Sequence, residues 1–121
     1  MHHHDTQQDF DECIRACQAA LQACQVCVSA DVRESHEDME NCILINLDCA
    51  DMCEATIKVL ARQSPHHGDF CAVCTHLCRA CAAECAKHDH EHCQRCRAAC
   101  EQCAHACGKH ASEGHSLGAA G

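Results

Sequence analysis

Small apolar residues recur every three or four positions along most of this chain, with polar and charged residues between them. The recurring residue is usually cysteine. In the stretch CAVCTHLCRACAAEC, residues 71–85, the cysteines are separated alternately by three and four positions. Side chains at that spacing lie on one face of an α-helix. The pattern therefore predicts helices that each present a cysteine face.

Four segments carry this period, and each is closed by a feature that ends a helix. Ser35 followed by Asp38 fits an N-cap with an acidic first turn at the start of the second segment. Ser64-Pro65 stops that segment, because proline disfavours helical geometry in the residue before it. The expected helices cover approximately residues 9–30, 35–63, 69–87 and 93–107.

The connections between these helices are short, which suits antiparallel neighbours. The alternation of three and four is the spacing of the inward positions of a helical bundle. We therefore predict an all-α fold, an antiparallel up-down-up-down four-helix bundle with a cysteine-lined core. The bundle is expected over residues 9–110, with a disordered N-terminal segment at 1–8 and a flexible tail at 111–121.

Composition shows what fills that core. The chain of 121 residues has no Trp or Tyr, few aliphatic residues and a net charge of −9, a combination typical of disorder. Its 17 cysteines change that interpretation, because a reduced cysteine behaves as a small buried hydrophobe.

The cysteines are expected to be reduced thiols. Their number is odd, their spacing suits one helix face, and the N-terminal region lacks the apolar stretch of a signal peptide. These features favour a cytoplasmic protein over a secreted disulfide scaffold. Nucleic-acid binding is not expected because the Lys and Arg residues are few and scattered. Nor is a membrane segment, because no apolar run is long enough.

A core made almost entirely of thiols indicates metal ligation, since Ala, Val or Leu would pack as well without oxidising. Zinc requires four ligands, and stacked zinc–tetrathiolate centres would accumulate negative charge in a dry interior. Iron–sulfur runs wrap a loop around a cluster, which a straight helix does not do. Cu(I) is soft and accepts two or three thiolates, and one ion per bridging thiolate leaves the core nearly neutral.

Two other functions remain as alternatives. One is a metallothionein-like buffer for zinc or several metals. The other is a thiol oxidoreductase that uses CxxC pairs, although the chain lacks the thioredoxin-type βαβ context. Nothing else in the sequence indicates catalysis, so we expect a protein that is not an enzyme.

The spacings CxxxCxxxxxxCxxC (13–27), CxxxxxxCxxxC (42–53) and CxxCxxxCxxCxxxC (71–85) resemble those of the bacterial copper storage proteins, and most closely the cytosolic branch. The resemblance covers about residues 9–110. It implies many Cu(I) ions bound by thiols inside a four-helix bundle, and a homotetramer. Ala20 and Asn46 interrupt the cysteine spacing, which leaves the copper number undetermined.

The predicted metal ligands are every cysteine together with residues expected at one end of the bundle. That end is identified as the mouth, because Met and His accept a soft ion and pass it to thiolates. The ligands are Cys13, Cys17, Cys24, Cys27, Cys42, Cys49, Cys53, Cys71, Cys74, Cys78, Cys81, Cys85, Cys93, Cys96, Cys100, Cys103, Cys107, Met39, His36, His88, His90 and His92.

The opposite end is the alternative mouth, because His67 and His110 continue the cysteine spacing there by one step. Apolar residues favour a plug at that end instead; they are Ile57, Val59, Leu60, Phe10 and Phe70. Outside the cysteine faces, Ile14, Leu21 and Val28 recur every seven residues, and ILINL (43–47) makes the second helix apolar on more than one face. We expect either a homo-oligomer or a wider core face on each helix.

Overall fold

Four α-helices account for most of the residues that the computed structural model describes, which are 9–34 and 37–113. They are α1 (Asp11–Glu34), α2 (Glu40–Ala61), α3 (His67–Cys85) and α4 (Glu91–Gly108). The expected all-α fold is confirmed. The N-terminal segment at 1–8 and most of the tail at 111–121, both predicted to lack order, fall outside the described residues.

The start of α2 differs from the sequence prediction. The helix begins at Glu40, with Met39 immediately before it, so Ser35 is not its N-cap. Asp38 has φ of 63°, in the left-handed region that Asp tolerates better than most residues. The chain therefore turns at Asp38, where the sequence pattern predicted a first helical turn. The end of α2 agrees better, because the helix stops at Ala61, shortly before Pro65.

The helices run in alternating directions. Cys13 near the start of α1 places its Sγ 2.7 Å from Sγ of Cys107 at the end of α4. Cys27 in the second half of α1 places its Sγ 3.9 Å from Sγ of Cys93 near the start of α4. Helices α1 and α2, α2 and α3, α3 and α4, and α4 and α1 pack as neighbours. The predicted up-down-up-down bundle is therefore confirmed.

The core runs along the bundle axis and consists chiefly of cysteine. Every one of the 17 cysteines has a fully buried side chain. We call the end that contains Cys27, Cys42, Cys85 and Cys93 the HDHEH end, after residues 88–92. The opposite end, which contains Cys13, Cys71 and Cys107, is the Phe10 end.

Outside this core, larger apolar residues divide into two sets. Ile14, Leu21, Ile43 and Ile45 are partly buried against the bundle's own core, as a wider core face requires. A second set remains exposed and consists of Val26, Val32, Leu44, Leu47 and Val73. None of the described helices has the length and apolar character that crossing a membrane requires.

Candidate metal centre

The cysteine sulfurs form groups small enough to hold metal ions. Within each group the ligand atoms lie within 4.8 Å of one another. From the Phe10 end, such groups are Cys13, Cys71 and Cys107; Cys17, Cys53, Cys74 and Cys103; Cys24, Cys81, Cys96 and Cys100; and Cys27, Cys85 and Cys96. Each combines cysteines from different helices, because the spacing of three and four brings every helix face to the same axis.

Short sulfur–sulfur distances join one group to the next. Sγ of Cys17 lies 3.5 Å from Sγ of Cys107, which connects the first two groups. In the middle of the bundle, Sγ of Cys49 lies 3.6 Å from Sγ of Cys78 and 3.9 Å from Sγ of Cys100. The thiols therefore form a continuous array, in which one sulfur is close enough to neighbours to bridge two ions.

A carboxylate closes this array at the HDHEH end. Asp31 is 2% exposed, and its side chain forms a metal-sized group with Cys27, Cys42 and Cys93. The Cys27 thiol donates to Asp31 Oδ2 at 3.8 Å. The other oxygen, Oδ1, is buried without a hydrogen bond within the described ranges. An anionic oxygen in that position favours a bound cation, because burying it uncompensated is costly.

Asp31 was missed at the level of sequence, although a signal was present. Cys24, Cys27 and Asp31 continue the alternation of three and four without interruption. The residue type concealed it, because aspartate in the last turns of a helix is ordinarily solvent-exposed.

His92 is the predicted histidine that the structure places against the thiols. Its Nδ1 lies 3.4 Å from Sγ of Cys27, 3.6 Å from Sγ of Cys93 and 3.6 Å from Asp31 Oδ1. Its Nε2 lies 3.2 Å from a carboxylate oxygen of Glu34. The ring therefore bridges the buried thiols and an exposed carboxylate, as a residue at an entry point would.

The structure gives other contacts for the remaining described residues that were predicted as ligands at this end. His88 Nε2 pairs with Glu84 at 3.0 Å. His90 stacks on His92 with ring centroids 5.5 Å apart. Met39 is 3% exposed and packs in the core. His36 falls outside the described residues.

The Asn46 side chain forms hydrogen bonds with the thiols of the array, whereas the sequence indicated only a gap in the cysteine spacing. Its amide Nδ2 donates to the carbonyl oxygen of Cys42 at 2.7 Å and approaches Sγ of Cys85 at 3.7 Å. Its Oδ1 accepts from the thiols of Cys96 at 2.9 Å and Cys81 at 3.4 Å. The amide thus gives these buried thiols an oxygen acceptor in addition to their contacts with other sulfurs. Ala20, the other interruption, is fully buried and supplies no such group.

Proton affinities at the HDHEH end differ sharply between neighbours. Burial raises the pKa of the Cys93 thiol to about 11. Hydrogen bonds from Cys27, Cys42 and Cys81 instead lower the pKa of Cys85 to about 4. Burial also raises the pKa of Asp31 above its ordinary value. Because metals bind thiolates, protonated thiols at this end must release their protons on loading.

Part of the apolar set that the sequence analysis expected at the Phe10 end is buried. Phe10, Val59 and Leu60 are buried, with exposures of 3%, 2% and 0%. Phe70 departs from that prediction. It is partly exposed and lines an outer groove together with Val59 and Lys58, because it lies beside the inward face of α3.

The arrangement suits a soft monovalent cation. Clusters of three or four thiols with sulfurs within 4.8 Å of one another supply the two or three thiolates that Cu(I) prefers. The two four-cysteine groups also have the ligand number of a zinc site. They are connected to neighbouring thiols, however, whereas structural zinc sites are closed tetrahedra.

Comparisons with known proteins agree with this geometry. The family model described as copper storage protein matches residues 6–112. The Cu(I)-bound copper storage protein BsCsp3 is 39% identical, with a TM-score of 0.82 over 86% of this chain and 100% of that chain. A cytosolic copper storage protein from Streptomyces lividans, in a structure with five coppers, is 36% identical, with a TM-score of 0.79 over 84% and 91%. The uncharacterized cysteine-rich protein YhjQ of Bacillus subtilis is 38% identical over 84 residues, 69% of this chain and 78% of its own length.

Proposed function

This chain belongs to the copper storage protein family, and on that premise we propose that it stores many Cu(I) ions in the cytoplasm. The observation that carries the proposal is the continuous array of 17 buried thiols. A chaperone or sensor needs only a few thiols, so the number itself favours storage. The name of the Streptomyces lividans relative, a cytosolic copper storage protein, supports the same location and cargo.

Charge balance explains how so many ions fit in one core. A thiolate that bridges two Cu(I) ions contributes half a charge to each, so one ion per thiolate leaves the array close to neutral. An array of zinc–tetrathiolate centres would instead hold excess negative charge at low dielectric. The ligands are the 17 cysteines, with Asp31 and His92 beside the outermost thiols.

Copper enters at the HDHEH end. His92 lies against Cys27 and Cys93 there, whereas Phe10 and Leu60 close the opposite end. A groove of 450 Å³ also opens beside the outermost thiols and is rich in carboxylates that attract a cation. Its lining includes Asp31, Glu37, Asp38, Met39, Glu40 and Ile43. Met39, His88 and His90 belong to this entry region as capture residues, and the sequence position of His36 suggests the same role for it.

The choice of metal is tested by displacement. Reduced protein is filled with Zn²⁺ under anaerobic conditions, and Cu(I) is then added in the presence of a zinc indicator. We expect Cu(I) to release all thiolate-bound zinc, because soft thiolate sites favour Cu(I). Retention of zinc with no Cu(I) uptake would identify the zinc or multi-metal buffer instead.

The exposed apolar residues support a homo-oligomer, a tetramer as the family resemblance implies. Leu44 and Leu47 project from α2 with exposures of 59% and 39%. Leu44→Glu is expected to lower the sedimentation coefficient, while Gln102→Glu on α4 leaves it unchanged. A wild-type chain that sediments as a monomer would contradict this assembly.

A further inference from the structure

Three polar side chains meet at the Phe10 end, and none of them is a cysteine. Glu113 Oε1 lies 3.0 Å from His67 Nε2 and 2.9 Å from His110 Nδ1. His67 begins α3, and the other two residues follow the end of α4. Within the described part of the chain, neither ring forms a hydrogen bond with a thiol. The cluster is therefore chemically separate from the cysteine array.

The protonation of His67 is set by its second nitrogen. Nδ1 lies 2.9 Å from the carbonyl oxygen of Ser64, and a carbonyl oxygen only accepts, so Nδ1 carries a proton. In the neutral ring, Nε2 then directs its lone pair at the Glu113 carboxylate. With Nδ1 protonated, Nε2 and the carboxylate oxygen 3.0 Å away need either a proton or a metal cation between them. Metal-binding histidines show this same arrangement, with the distal N–H held by a backbone carbonyl.

The cluster is built into the fold and shielded from solvent. The side chains of His67 and His110 are 10% and 18% exposed. Phe10 packs against both rings, with centroid distances of 4.8 Å and 5.0 Å. Gly68 is required beneath Glu113, because a Cβ there would collide with the carbonyl oxygen of Glu113. The fold thus holds two imidazoles and one carboxylate in place before any ligand arrives.

We propose that His67, His110 and Glu113 bind a single divalent cation of borderline softness, such as Zn²⁺, independently of the Cu(I) in the thiol core. Two imidazoles and one carboxylate are a zinc-type ligand set, with a further position for water. Cu(I) prefers the thiolates, so the two kinds of ion are sorted between the two sites. A bound cation ties the start of α3 to the segment after α4 and keeps the Phe10 end closed.

Support also comes from the carboxyl group itself. A glutamate carboxyl ordinarily ionises well below neutral pH. The group is therefore an anionic ligand at neutral pH. Its charge compensates part of the charge of a divalent ion, which favours binding in a shielded position.

The test uses the full-length reduced chain after saturation with Cu(I), so that the thiols are occupied. Anaerobic titration with Co²⁺ then probes the remaining ligands. We expect about one Co²⁺ per chain, with visible d–d bands and no thiolate-to-cobalt charge-transfer band. Subsequent Zn²⁺ should remove the bands. Absence of Co²⁺ binding, or a charge-transfer band from sulfur, would overturn the proposal.

Matched variants assign the ligands. Glu113→Gln and His110→Ala should each weaken Co²⁺ binding by roughly tenfold or more. His105→Ala, which removes an exposed histidine from α4, should leave it unchanged. Unaltered Cu(I) capacity and circular dichroism verify that the variants are folded. Equal Co²⁺ affinity in Glu113→Gln and His105→Ala would contradict the assignment.

A second measurement does not depend on copper. Histidine ring ¹⁵N spectra of the copper-free chain, recorded with and without Zn²⁺, report the nitrogens directly. His67 Nε2 and His110 Nδ1 should shift on Zn²⁺ addition while the His105 nitrogens do not. Unchanged His67 and His110 resonances would overturn the proposal whether or not the thiols bind copper.

Discussion

His92 Nδ1 lies 3.4 Å from Sγ of Cys27, across the interface between α4 and α1. The ring is 11% exposed, and its other nitrogen contacts Glu34 near the surface. One side chain therefore spans the distance from solvent to the outermost thiols. We therefore propose His92 as the residue through which an incoming Cu(I) ion first meets the array.

Replacing His92 should affect the rate of copper uptake more than its extent. His92→Ala removes the imidazole but none of the 17 thiols. We expect loading from a Cu(I)–chelator complex to slow by about tenfold, with the final copper number within one ion of wild type. Stopped-flow absorbance of the chelator measures the rate. His105→Ala is the control. Equal loading rates for the two variants would show that copper does not enter through His92.

The Asp31 carboxylate is expected to lower the stability of the copper-free protein against unfolding. Burial raises the pKa of Asp31 above its value of 3.8 in an unfolded chain. For a carboxyl shifted upwards, stability falls as pH rises through the folded pKa, because the ionised form is disfavoured in the fold. Asp31→Asn should therefore raise the unfolding midpoint of the copper-free chain at pH 7 by roughly 3 °C.

The same substitution should weaken copper capture, since it removes the anionic oxygen beside Cys27 and Cys93. Scanning calorimetry and chelator competition measure the two effects. A copper-free Asp31→Asn chain less stable than wild type would show that the carboxylate has a structural role instead.

Asn46 links thiols of three helices, so its truncation should destabilise the bundle. Asn46→Ala leaves the thiols of Cys96 and Cys81 without the oxygen that accepts from them. We expect the free energy of unfolding of the reduced, copper-free chain to fall by about 1–3 kcal/mol. Urea denaturation followed by circular dichroism measures the change. Ala20→Gly, at the other interruption, is the comparison for a side chain without polar contacts, and an Asn46→Ala loss no larger than its own would contradict the role.

Glu84 should make the bundle sensitive to acid. The hydrogen bond from His88 lowers the pKa of the Glu84 carboxyl below its usual 4.5. For a depressed carboxyl pKa, the stabilisation is present above 4.5 and is lost as pH falls through the folded pKa. Glu84→Gln should therefore flatten the fall in unfolding midpoint between about pH 6 and pH 3.

Thermal melts across that pH series provide the measurement. The control is Glu54→Gln, which removes the carboxylate from an exposed pair with Lys58, and exposed pairs contribute little. Identical pH profiles for the Glu84→Gln and wild-type chains would contradict the predicted contribution.

The sequence predicted the fold and the thiol contacts because both follow from one period. Cys13 and Cys107, or Cys27 and Cys93, meet once four cysteine-faced helices alternate in direction. Chain turns were less predictable. Ser35 and Asp38 form a good capping signature, yet Asp38 adopts a left-handed conformation and the helix begins later.

Polar residues within the core escaped prediction for a different reason. Asn46 and Asp31 occupy cysteine positions of the pattern, and only the packed structure shows what their side chains contact. The cluster around Glu113 depends on the close approach of a segment after α4 to Gly68, which no local pattern specifies.

The most direct test of the central claim is the number of Cu(I) ions that one chain holds. Reduced protein is titrated anaerobically with Cu(I) beside a weak chelator, and the bound ions are counted by native mass spectrometry. Storage in the thiol array predicts more than about ten Cu(I) ions per chain. Saturation at about four ions or fewer would contradict it, because a few separate thiolate sites with one metal ion each would then account for all the binding.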